Sequence, residues 1–182
     1  MATAVLSFSC STTRVLWDGQ FRLADNKVVV DNDRKFNTKE IESYIKQKPN
    51  SYIIFGWNPF LNIYNWSGKN ADKGINKFLR EIGTAPVVYQ PSQVEASVEN
   101  INRHLEYLGY YGSDVRSEVR VNGKRVTVTY SVTLGRRYRI GNVSFAVPDG
   151  EFKEDFYADT AAVSIRPGDF LSEDALEKET ER

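Results

Sequence analysis

The sequence predicts an α+β fold, and three observations within residues 92–133 carry that expectation. Val94, Val98, Ile101, Leu105 and Leu108 recur at three- and four-residue intervals, which sets all five on one stripe of a helix, and Gly109 supplies a left-handed stop. Val126, Val128, Tyr130 and Val132 alternate with Arg125, Thr127, Thr129 and Ser131, the period of a strand with one apolar and one wet face. Asn122 and Gly123, between this strand and another at 118–121, are the pair that a tight type I′ hairpin favours. The helical stripe must bury against something, and the apolar face of the hairpin is its natural partner.

In chain order, residues 1–10, MATAVLSFSC, are apolar and small and end at the only cysteine. They resemble the tail of a lipoprotein signal peptide, in which Cys10 would become the acylated first residue. No Lys or Arg precedes the apolar run, and Ser7 stands where such signals usually place Leu. The other reading is an ordinary terminus with an incidental thiol. Residues 1–20 are then a signal remnant and tether. Residues 21–30 read as a strand through the run Val28, Val29 and Val30. A helix follows, with Asn37 as cap, Glu40 closing a capping box, Phe36 stapled onto Ile41, and Ile41, Tyr44 and Ile45 inside; Pro49 ends it.

Residues 51–68, SYIIFGWNPFLNIYNWSG, hold no charge and carry Tyr52, Phe55, Trp57, Phe60, Tyr64 and Trp66. Gly56, Pro59 and the asparagines break long helices and strands, so an irregular loop is expected. It either folds back on its own domain or docks its aromatics on a partner or membrane surface; Trp57, Phe60 and Trp66 are the candidate contacts. A short helix over 73–82 sets Ile75, Phe78, Leu79 and Ile82 on one side, and Val87 and Val88 link it to the helix capped by a Ser92–Glu95 box. Beyond the hairpin, residues 137–147 read as a strand, 155–163 as a poor helix or loop, and Ser172 caps a last helix.

Charge and reactive residues exclude several classes. Lys plus Arg and Asp plus Glu are 24 each, so no net field attracts nucleic acid. No stretch reaches the ~20 apolar residues of a spanning helix. A lone Cys10 forbids an internal disulfide, and a lone His104 flanking a helical stripe, with no nucleophile motif, argues against an enzyme. One histidine and one distant cysteine do not make a metal site, and no cofactor is expected. Asp72, Asp114, Asp155 and Asp159 are scattered and need no catalytic role. The basic cluster at 135–139 reads as a hinge salt bridge, the other reading being a headgroup or peptidoglycan contact.

Two halves of the chain share an order, with Lys48-Pro49-Asn50-Ser51 in the first matching Arg166-Pro167-Gly168-Asp169 in the second. The second half stops before its hairpin, as expected of a piece of a longer protein. The order strand, helix, helix, hairpin resembles the POTRA domain, the periplasmic module of BamA- and TamA-type outer-membrane assembly proteins. Leu105, Leu108, Gly109, Tyr110 and Val115 look like the family signature at the end of the second helix. Ile140-Gly141-Asn142-Val143-Ser144-Phe145 resembles the opening strand of the next module, and Arg166-Pro167-Gly168-Asp169 with Ser172, Leu176 and Arg182 its turn and second helix. On this likeness, residues 21–136 are a POTRA-like β-α-α-β-β module with an aromatic insertion at about 51–90, and 137–182 begin a second. With a modifiable Cys10, the chain looks most like TamA-like lipoproteins of the Bacteroidetes type. The insertion is longer than the family's pattern.

The resemblance implies a scaffold at the periplasmic face of the outer membrane. It would bind unfolded outer-membrane protein segments or assembly-complex subunits, held to the membrane by a lipid at Cys10 and a barrel beyond the chain end. An open sheet edge would bind such segments by strand addition. In the family that edge is usually the strand after the second helix, here with Arg116, Glu118 and Arg120 on its wet face. The alternative is a glycan- or lipid-binding accessory domain using the aromatic insertion.

Overall fold

One strand carries the core. In a computed structural model of the chain, which describes residues 12–52, 58–70, 74–158, 163 and 165–181, β3 (Arg125–Thr133) turns Val126, Val128, Tyr130 and Val132 inward, none more than 1% exposed. β-Branched and aromatic side chains suit such a pleated, half-covered surface. β3 lies in the middle, pairing with β2 (Asp114–Asn122) on one side and with β1 (Arg22–Val30) on the other, which gives the order β1-β3-β2. The Arg22 N–H donates to the Lys124 carbonyl at 2.8 Å and the Asp31 N–H to the Val132 carbonyl at 2.9 Å. Residue numbers climb together along both strands, so β1 and β3 are parallel and the sheet is mixed.

The hairpin differs from expectation in its limits. β2 starts at Asp114 rather than Glu118, and the turn falls on Gly123 and Lys124, with Asn122 kept in the strand. Gly123 takes the left-handed conformation at φ 58°. Lys124 is anchored, its Nζ donating to the carbonyls of Leu16 at 3.3 Å and Trp17 at 3.2 Å and meeting Asp18 Oδ1 at 3.3 Å. That anchor holds the turn one residue later than Asn122-Gly123 chemistry alone would set it.

The chain falls into two compact units. The first comprises residues up to Val28, Lys46–Ala96 and Ser117–Tyr130; it buries Leu16, Leu23, Leu61, Val94, Val126, Val128 and Tyr130. The second comprises Val29–Ile45, Ser97–Arg116 and Ser131–Arg182; it buries Ile41, Ile45, Ile101, Leu105, Val115, Val132 and Leu134.

The helices reflect their caps. α1 (Lys39–Glu42) is a single turn; Thr38 stands just before it without a side-chain cap bond, Asn37 Oδ1 accepts from the Lys39 N–H at 3.3 Å, and the Phe36 ring meets Tyr110 edge-on at 5.7 Å. α2 (Pro59–Trp66) replaces half of the expected irregular loop. Asn58 Oδ1 accepts the Leu61 N–H at 2.9 Å and Pro59 occupies the first helical position, where its missing donor costs nothing. α3 (Gly74–Ile82) packs on α2. α4 (Pro91–Tyr107) likewise opens on a proline, which puts Ser92 inside the helix rather than at its cap. Its buried positions are Val94, Ser97, Ile101 and Leu105, while Val98 and Leu108 are half-buried.

Residues 137–147 form no strand. Arg139 makes an isolated bridge with Phe170, and Leu171 N–H donates to the Tyr138 carbonyl at 2.8 Å. An extended segment becomes a ladder only where a neighbour takes its amides, and among the described residues no strand runs beside 141–147. α5 (Glu151–Ala158) and α6 (Glu173–Glu181) follow; at α6 the expected cap forms, Ser172 Oγ accepting from the Ala175 N–H at 3.2 Å.

Candidate partner-binding surface

Among the described residues the two margins of the sheet differ in cover. The outer side of β1 is covered at its start, where the Leu23 N–H donates to the Val87 carbonyl and the Tyr89 N–H to the Phe21 carbonyl, both at 2.8 Å. Val87 and Val88 thus do more than link helices, since Val88 bridges Arg22. Asn26 Nδ2 adds a 2.7 Å bond to the Gln47 carbonyl. β2 ends the sheet on the other side, and no strand lies beyond it among the described residues.

β2 places Asp114, Arg116, Glu118 and Arg120 at alternate positions, hence on one face. They neutralise one another: Arg116 Nε lies 2.7 Å from Asp114 Oδ2 and Arg120 Nε 3.0 Å from Glu118 Oε1. Both pairs are exposed and stabilise little, about 0–1 kcal/mol each. On the opposite face Val115 is buried, but Val119 and Val121 are exposed. The strand therefore offers backbone donors and acceptors along a margin with a charged-but-paired side and a partly uncovered apolar side.

Phe60 and Trp66 lie on α2, 45% and 60% exposed. Six residues apart on a helix, they point to different sides rather than forming one surface. Trp57 and Cys10 fall outside the described residues. The structure thus gathers Arg116, Glu118 and Arg120 on one strand and leaves Phe60 and Trp66 on a separate element.

A second cluster escaped the sequence. In the second unit, Tyr44 stacks on His104 with ring centroids 3.9 Å apart, and Tyr107 lies 6.0 Å from His104. With Asn100, Arg103 and Glu173 they line a hollow of about 350 Å³. Burial pushes the His104 pKa below its ordinary value, against the opposing pull of Glu40 and Asp174. Tyr107 Oη donates to Glu177 Oε2 at 2.8 Å and lies 3.3 Å from Asp174 Oδ1, which pushes its own pKa up. Nearby, the Arg137 guanidinium lies 4.0 Å from the Phe170 ring and 4.9 Å from that of Tyr110, with Arg139 4.3 Å from Phe170. The basic cluster at 135–139 stacks on aromatic rings here, where the sequence led us to expect a salt bridge. The sequence signal was Asn100, His104 and Tyr107 on one flank of α4, legible only once a partner is known to reach that flank. Among the described residues, no group of three or more His, Cys, Asp and Glu could hold a metal ion, and no helix is long and apolar enough to cross a membrane.

No curated protein matches the chain. The profile of the POTRA family, described as a surface antigen variable number repeat, matches residues 26–135. That match begins within β1 and takes in α1 to α4 and the whole hairpin, the mixed sheet and the helices that precede its hairpin. Spanning 110 of 182 residues, it establishes that the chain belongs to the POTRA family.

Proposed function

We propose that this chain holds extended client or partner segments beside β2, as the periplasmic interaction region of an outer-membrane β-barrel assembly or translocation protein. POTRA domains are in general protein-interaction modules of outer-membrane assembly and translocation, and are typically periplasmic. Capture by strand addition, a BamA- or TamA-type setting of the Bacteroidetes lipoprotein kind, and an acyl anchor at Cys10 are our finer reading. So is the division into a first module at 21–136 and the opening of a second at 137–182, with a barrel beyond.

The observation that carries the reading is the place of β2 at the end of the sheet, with no described strand beyond it. Main-chain hydrogen bonds to an added strand read little sequence, which suits weak binding of many unfolded barrel strands. The Asp114–Arg116 and Glu118–Arg120 pairs keep the strand charged enough to discourage a second β2 from pairing there. In amide hydrogen exchange, a peptide of alternating apolar and polar residues is expected to protect the β2 amides. The same peptide N-methylated along its backbone is expected to give no protection. Protection elsewhere, or equal effect of the methylated peptide, would refute strand addition.

One observation favours the alternative, a glycan- or lipid-binding accessory domain. In the first unit a hollow of about 550 Å³ is lined by Trp17, Tyr64, Lys69 and Arg80 among others, with Lys69 Nζ 5.4 Å from the Trp17 ring and the Arg80 guanidinium 5.5 Å from that of Tyr64. A glycan that raises the melting temperature of the wild type and not of a Trp17→Ala variant would support this reading.

A further inference from the structure

We propose that α3 is an interfacial element, laying an apolar stripe into the headgroup region of an anionic lipid surface. The helix packs on α2 through its polar side. Asn76 Nδ2 donates to the Asn70 carbonyl at 2.7 Å, Arg80 Nε to Ser67 Oγ at 3.1 Å and Arg80 Nη2 to the Gly68 carbonyl at 2.9 Å. At its end Gly83 comes so close that an added Cβ would lie 2.6 Å from the Tyr64 backbone nitrogen. At ~100° per residue, Ile75, Phe78, Leu79 and Ile82 occupy an arc of roughly 100°, and Arg80 lies on the other side of the helix.

The apolar arc is the uncovered one. Ile75 is 71% exposed, Phe78 58% and Ile82 43%, and no residue of α3 is buried. An amphipathic helix ordinarily hides this stripe, and leaving it open marks an interaction surface. Lipid fits it on three counts. α3 is strongly amphipathic with little net hydrophobicity, the signature of a helix that lies in an interface. Residues 51–90 hold four basic side chains, Lys69, Lys73, Lys77 and, bonded on the α2 side, Arg80, and two acidic ones, Asp72 and Glu81, in a chain that carries 24 of each in all. That local excess complements anionic headgroups. The adjoining α2 exposes Phe60 and Trp66 on two sides about 120° apart, so that one of them, not both, can stand beside the stripe at the boundary between headgroups and acyl chains.

The test uses the full chain as a Cys10→Ser variant, so that no acyl chain contributes, and measures co-sedimentation with vesicles. Vesicles of phosphatidylcholine with about a third phosphatidylglycerol are expected to bind it at least about tenfold more than phosphatidylcholine alone. Ile75→Asp with Phe78→Asp, both exposed and harmless to the core, is expected to lower that binding about tenfold with far-UV circular dichroism unchanged. Lys77→Glu, which leaves the stripe intact, is expected to weaken it as well. Failure of the parent to sediment, or equal sedimentation of the Asp variant, would overturn the proposal. Concentration-dependent dimerisation of the parent, lost in the Asp variant and without vesicle binding, would assign the stripe to a second copy instead. Peptide capture at β2 should survive the Asp variant, so the two proposals fail separately.

Discussion

Gly109 shows how a single residue serves two ends. Its φ of 86° closes α4 in the left-handed conformation, and an added Cβ would meet the Leu171 carbonyl oxygen at 2.1 Å. A β-carbon there suffers both backbone strain and a collision with main chain that has little room to yield. Gly112 has a similar φ of 72° with nothing within 4 Å of its missing Cβ. Gly112→Ala should therefore cost the strain alone, of order 1–3 kcal/mol. Gly109→Ala should cost at least about 1 kcal/mol more, read as a lower urea midpoint. Equal losses would mean that the 165–181 segment does not press on the end of α4. The first half of this was legible beforehand, because a glycine after a completed apolar stripe signals a helix stop. The approach of Leu171, sixty-two positions later, was not.

At the scale of elements, β2 and α3 share a property: each leaves uncovered a surface that its type normally covers. For β2 the charges are the safeguard. Replacing Glu118 and Arg120 by Val would remove one exposed ion pair, changing stability by under about 1 kcal/mol. It would also turn the free edge into a flat apolar strand, and concentration-dependent self-association is the expected result in sedimentation velocity. A variant that stays monomeric at high concentration would show that these charges do not guard the edge. β3 and α4 followed their periodicity because one buried face leaves little choice of register. α2 escaped it because Asn58-Pro59 reads as a loop breaker in isolation, yet a cap followed by a first-position proline is also how helices start. Residues 137–147 had the alternation of a strand and lacked a neighbour.

For the whole molecule, the pH dependence between about 7.5 and 5 centres on His104. Its pKa in the folded state lies below the ordinary value of 6.5, mainly through burial, with Tyr44 and Tyr107 beside it and Glu40 and Asp174 pulling the other way. The unfolded chain therefore binds the proton more readily. The stability contributed by the neutral imidazole is full above about pH 6.5 and is lost as pH falls through that value toward the lowered folded-state pKa. Between about pH 7.5 and pH 5 the wild type should lose more melting temperature than a His104→Gln variant. Parallel melting curves for the two would show that His104 does not couple to folding.

Periodicity and capping are local and each leaves few alternatives, so the α+β class, the helix carrying Ile101 and Leu105, the hairpin with Val126, Val128, Tyr130 and Val132 inside, and the Ser172 cap were all legible in the residues alone. The outward turn of the α3 stripe, the stacking of Tyr44 on His104 and the cover laid over the start of β1 but not over β2 came from the folded arrangement. Those outcomes depend on which distant segments arrive to cover a surface, as residues 87–89 cover the start of β1, and a chain's local pattern records what wants cover without recording what supplies it.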